Sequence, residues 1–267
     1  MWGLSDSVPD AATSPGVPAA VDPRPLVDSG RPEPVEGRVR IIALLEILLC
    51  SSVPTQLAIG AVLKLAGLAS VDAAGHLSFA FVFTLSVADT LLVIALMVGL
   101  MRAHGESSRR LWIGDRPLTR ELLVGLLTVP FIFVGVGILL NTLRLLVPWL
   151  HNVETNPLES LAGSPGEALL FTLVAILAGG VREELQRAFM LHRFERHLGG
   201  AAVGVILTSI GFGFLHGVQG RDAMVTTGAL GAFWAWMYLQ RRSSIGPVVS
   251  HAGFNSLEIF RVAMVGQ

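Results

Sequence analysis

Residues 122–147 read LLVGLLTVPFIFVGVGILLNTLRLLV, with no charged side chain before Arg144. About 20 predominantly apolar residues suffice to cross the roughly 30 Å hydrocarbon core of a bilayer as a helix, so this stretch is long enough to span. Outward from it, apolar segments recur near 41–68, 78–101, 166–181, 200–218, 223–240 and 244–263. In lipid, backbone polar groups must be satisfied within the segment, which leaves helices for runs of this length. The expected fold is therefore all-α, a polytopic transmembrane helix bundle of about seven spans. The fourth segment is short if it stops at Gly179-Gly180, and the last is interrupted by Gly246-Pro247.

Composition supports the same solvent. The chain is 52% hydrophobic and 15% charged, with a mean hydropathy of +0.64, whereas soluble domains carry about 25% charged residues. In water such a chain would expose apolar patches that soluble monomers avoid. The net charge of −1 gives no basic field for nucleic acid. Cys50 is the single cysteine, which excludes an intramolecular disulfide and a cysteine-cluster metal site. Set in an apolar run, its thiol is expected to be inert.

Residues 1–38 are rich in proline, aspartate, serine and glycine and are expected to form a disordered tail. Residues 39–267 form the transmembrane helical domain. The tail lacks the basic start and apolar run of a signal peptide, so the first span is expected to be its own uncleaved targeting signal. The loop 102–121 carries Arg102, Arg109, Arg110, Arg116 and Arg120, while the loop 148–165 has no Lys or Arg. By the positive-inside rule the first faces the cytoplasm and the second faces outward. This gives an integral membrane protein, of the plasma membrane, with a cytoplasmic N-terminus. Leu111, Trp112 and Ile113 read as an interfacial segment, with a lateral gate as the alternative. Gly135 with Gly137, and Gly228 with Gly231, are expected to permit close helix packing.

Ionisable groups inside spans are costly and mark function by default. Glu46 reads as a residue near the inner interface, and Asp89, mid-span, as either a proton carrier or a hydrogen-bonded packing residue. A denser set follows. Arg182, Glu183, Glu184 and Arg187 close an apolar run; on a helix Arg187 can face either glutamate, three or four positions back. One carboxylate held by arginine and one desolvated neighbour can take different roles, one structural and one a base. His216 sits in Phe212-Gly213-Phe214-Leu215-His216-Gly217, thinned by glycine. His251 and Asn255, four apart, share a helix face and could both donate to one oxygen. Each cluster alone is ordinary; together they place polar groups from three apolar segments.

At these residues the sequence resembles the CPBP family of intramembrane proteases, which includes CAAX prenyl endopeptidases and bacteriocin-processing relatives. Its pattern runs EExxxR, FxxxH, then HxxxN or HxxxB. Phe212 to His216 and His251 to Asn255 fit as written, while Arg187 follows Glu184 after two residues instead of three. The resemblance covers about residues 166–260. It implies peptide-bond hydrolysis by an activated water, in a membrane-associated protein or peptide. Carried over, Glu183 would be the general base, His216 would hold the water, His251 and Asn255 would stabilise the oxyanion, and Glu184 with Arg187 would support them. The implied partners are the lipid bilayer and a peptide or protein substrate, with no nucleic acid.

No HExxH helix supplies paired zinc ligands, so the reading favours chemistry without a cofactor. Glu183, His216 and His251 could still form a three-ligand zinc site. If the fourth span ends near 181, Glu183 falls near the inner end of the bundle and His216 near the outer end, yet one water must reach both. Two other functions compete. One is a proton-coupled transporter using Glu46, Asp89, Glu183 and Glu184 as a relay; the other is a non-catalytic membrane partner such as an immunity factor.

Overall fold

The computed structural model describes residues 36–265, so the expected tail lies almost wholly outside the described residues. Helices are α1 (Gly37–Leu49), α2 (Val53–Leu65), α3 (Phe79–Ala103), α4 (Ser108–Trp112), α5 (Leu118–Leu146), α6 (Pro165–Val174), α7 (Glu183–His197), α8 (Ala201–Leu215), α9 (Arg221–Arg241) and α10 (Ile245–Val265). A π-helical segment, Ala175–Arg182, joins α6 to α7 without a break. Among the described residues extended pairing is confined to one isolated bridge, Val71 with Leu77. The all-helical expectation holds.

By length and composition, α3 and α5 can each cross a membrane, and α1 with α2 would make a third span if the bent pair counts as one. Large apolar side chains such as Leu57, Phe131, Ile138 and Leu145 stand exposed on these helices. Such a surface suits lipid and not water, and the protein is an integral membrane protein.

The run expected as one span over 41–68 bends by 40° between α1 and α2. A continuous helix would have the N–H of residue 54 donate to the carbonyl of Cys50, but Pro54 has no N–H to give. Gln186 of α7 donates from Nε2 to Cys50 O instead (2.6 Å), and also to Ser52 Oγ (2.9 Å). Cys50 itself is fully buried. Glu46 is buried too, accepting from Arg193 Nε at 2.5 Å with His104 Nε2 at 2.6 Å. The resulting ion pair links α1 to α7.

The fourth segment corrects the expected span limits. Helix does not stop near 181 but runs on through α7 to His197, then turns at Gly199-Gly200, both with positive φ. Helix α8 returns over the same number of residues, 15 in each. Glu183 opens α7 and His216 caps the end of α8, so the hairpin brings both to one end, about 22 Å of helix from the turn. The mismatch in depth disappears.

Gly228 and Gly231 do permit close packing of α9 on α8: a Cβ at Gly231 would meet Phe212 Cδ1 at 3.1 Å and Arg187 Nη1 at 3.2 Å. Gly135 and Gly137 do not serve this purpose, since nothing lies within 4 Å of a Cβ built there. Trp112 is tied inward, donating from Nε1 to Leu185 O at 3.2 Å, and with Leu111 it packs beside α7.

Candidate active site

The π segment sets the geometry. Its wider turn shifts the phase of the residues that follow, and single π turns recur at functional sites. Here Gly179 and Gly180 present bare backbone to α10. A Cβ on Gly180 would lie 2.7 Å from Ala252 Cβ, and one on Gly179 would overlap the Asn255 amide nitrogen. Only glycine allows α10 to come this close, and that approach puts His251 and Asn255 beside the start of α7.

The two glutamates diverge. Glu184 turns inward and is buried, its carboxylate forked by Arg187 Nε (to Oε2, 3.0 Å) and Nη2 (to Oε1, 3.2 Å). Bidentate pairs of this kind are the strong form of the contact. Of the two glutamates within helical reach of Arg187, it is Glu184 that takes the guanidinium. The guanidinium also lies 4.6 Å over the Phe212 ring, tying α7 to α8. Glu184 Oε1 further pairs with His251 Nδ1 at 2.9 Å.

Glu183 points the other way, into a cavity. Arg182 Nη2 donates to its Oε1 at 3.1 Å, while Oε2 accepts from no described residue and lies 4.0 Å from His251 Nε2. His251 therefore stands between the two carboxylates. Its ring stacks on Trp234, centroids 3.8 Å apart and planes 14° apart. Trp234 Nε1 donates to Ser250 Oγ at 3.1 Å, which Thr128 Oγ1 contacts at 2.9 Å.

Hydrogen bonding also fixes tautomers. A carbonyl oxygen can only accept, so His216 Nδ1, 2.8 Å from Phe212 O, carries a proton and leaves Nε2 as an acceptor in the neutral ring. By the same reasoning His251 Nδ1 donates to Glu184; its Nε2 is an acceptor when neutral and a donor in the imidazolium.

Glu183, His216, His251 and Asn255 line one cavity of about 680 Å³, together with Gly179, Phe212 and Trp234. Glu184 and Arg187 lie behind it. The four cavity residues thus offer a carboxylate oxygen without a partner, an imidazole acceptor, a second imidazole held by Glu184, and an amide. Among the described residues no group of three or more His, Cys, Asp or Glu side chains converges as a metal ion requires.

Sequence reasoning did not find Trp234, Ser250 and Thr128, which support His251, nor a role for Arg182. Asp89 was legible as an ionisable residue mid-span. It is fully buried on α3, accepting from Arg182 Nη1 at 2.6 Å and Gln56 Nε2 at 3.2 Å, and from Thr55 Oγ1. It packs as one half of an ion pair.

A carboxylate, two histidines and an amide thus line one cavity of an apolar helical protein. Residues 165–257, α6 through half of α10, match the family model of the type II CAAX prenyl endopeptidase Rce1-like proteins, and over that stretch the chain is similar to CAAX-type proteases. No curated protein and no solved structure matches the chain.

Proposed function

We propose that the protein is an intramembrane endopeptidase that hydrolyses a peptide bond of a membrane-associated protein or peptide with a water activated by Glu183. The observation that carries this reading is the shared cavity, where Glu183 Oε2 stands without a partner beside His251 while His216 and Asn255 line the same space.

A water in that space donates one hydrogen to Glu183 Oε2 and the other to His216 Nε2, which aims an oxygen lone pair at the substrate carbonyl carbon. As the carbon–oxygen bond forms, Glu183 takes the proton and negative charge collects on the former carbonyl oxygen. Asn255 Nδ2 and the imidazolium form of His251 donate to that oxyanion. Glu183 then passes its proton to the departing amine nitrogen as the carbon–nitrogen bond breaks. Glu184 and Arg187 hold His251 in place. A well-placed general base supplies on the order of 10²–10⁴ in rate, and one oxyanion donor about 10²–10³. Every step uses side chains of this chain alone, and none requires a metal ion.

The transporter reading has less support, because Glu46 and Asp89 are each locked to an arginine and so are poor carriers. The arginine-bearing loops support a cytoplasmic N-terminus, and the plasma membrane is the location that goes with this proposal. Quantitative proteomics of cells expressing wild type or Glu183→Gln tests the function: a cleavage product present with wild type and absent with the variant is expected. Identical product sets would contradict it.

A further inference from the structure

Glu183 has two oxygens with different surroundings, and the difference traces back to helices that the family match does not cover. Asp89 on α3 is held by Thr55 and Gln56 of α2. It takes Nη1 of Arg182, while Nη2 of the same guanidinium takes Glu183 Oε1. Neighbouring residues on an α-helix do not face each other; the π segment ending at Arg182 is where this pair comes together. All of Asp89 and nearly all of Arg182 are buried, so the contact is not diluted by solvent.

We propose that Asp89 and Arg182 are positioning residues for the Glu183 carboxylate, dividing one guanidinium between two acids so that Oε1 is fixed and Oε2 is left without a partner beside the cavity. Without Arg182 the Glu183 side chain is free to swing the short distance onto His251, 4.0 Å away, closing an ion pair where the water must sit. Without Asp89 the freed guanidinium can fork onto both oxygens of Glu183, the preferred arginine–carboxylate geometry, and cover the base. The charge balance matters as well: the buried arginine faces two carboxylates, of which only Glu183 reaches the cavity. This inference rests on Glu183 as the base, and it extends the site to α2 and α3, outside residues 165–257.

The test separates positioning from packing. A buried ion pair can often be replaced by neutral side chains of similar volume without loss of stability, so Asp89→Asn combined with Arg182→Met is expected to remain folded. With the purified full-length protein in vesicles, the probe is an internally quenched peptide carrying the cleavage site mapped by proteomics. The double variant should keep its melting temperature within a few degrees and KM within about twofold, while kcat falls about 30-fold or more, as when a reacting group loses its alignment. A wild-type kcat in the folded double variant, beside an inactive Glu183→Gln control, overturns the inference while leaving the base in place. A raised KM with unchanged kcat also overturns it, because the pair would then bind substrate. If the double variant does not fold, Arg182→Lys keeps the charge against Asp89 but loses the fork; at least a 10-fold loss of kcat at constant KM is expected, and wild-type turnover overturns the inference. A Glu183→Gln protein at the wild-type rate removes the base and this inference together.

Discussion

The imidazole of His251 lies face to face on the indole of Trp234, centroids 3.8 Å apart, with Glu184 at one ring nitrogen and Glu183 near the other. The stack fixes the ring plane and the Glu184 contact fixes its rotation. Together they leave Nε2 aimed at the cavity.

Trp234→Phe therefore tests orientation. The smaller ring retains an aromatic face but loses the Nε1 donor to Ser250, so His251 gains freedom. A fall in kcat of about 10-fold with little change in KM is expected, of the size that follows when a reacting group loses alignment. Steady-state kinetics check it.

Gly179 and Gly135 differ only in what lies beyond them. Alanine at 179 would collide with the Asn255 amide, whereas alanine at 135 meets nothing within 4 Å. Gly179→Ala should cost activity by well over 10-fold if Asn255 is the oxyanion donor proposed above. Gly135→Ala should leave activity unchanged and stabilise α5 slightly, by up to about 1 kcal/mol from helix propensity. Parallel activity and melting measurements separate the two.

Outside the bundle's spans, Glu106 joins the α3–α4 turn to α7 by accepting from Arg193 Nη1 at 2.7 and 2.8 Å, with His192 at 3.1 Å. Burial pushes its carboxyl upward, but Arg193 and His192 outweigh that and hold it below the ordinary carboxylate range. A depressed carboxylate contributes stability that is complete above its unfolded value, near 4.5, and is lost as pH falls through the lower folded value. Glu106→Gln should thus lower the melting temperature by several degrees at pH 7, and the gap to wild type should narrow as pH falls below 4.5. Thermal unfolding in detergent across pH checks it.

Metal removal separates the two water-activating chemistries. On the present mechanism, incubation with 1,10-phenanthroline followed by desalting should leave the cleavage rate intact. Loss of activity that zinc restores would require Glu183, His216 and His251 to close around an ion.

Much of the fold was legible because apolar length is a one-dimensional signal: α3 and α5 fall within a few residues of the runs at 78–101 and 122–147. Helix α7 was not, because half of its surface packs against protein and carries buried Arg187, Arg193 and Gln186; hydropathy reads such a helix as a loop. The π segment leaves no periodic trace over eight residues. Spacing put Arg187 within reach of either glutamate, and only the fold shows that it forks Glu184. It could not show that Arg182 reaches Asp89, a contact between residues 93 positions apart.

The cleavage rate of Glu183→Gln, measured on the purified protein in vesicles beside its melting temperature, bears most directly on the central claim. Glutamine keeps the shape and the contact with Arg182 but cannot take a proton from water. A loss of about 10³-fold or more in kcat with an unchanged melting temperature is expected, at the upper part of what a general base supplies. Cleavage at the wild-type rate by the folded variant would contradict the claim.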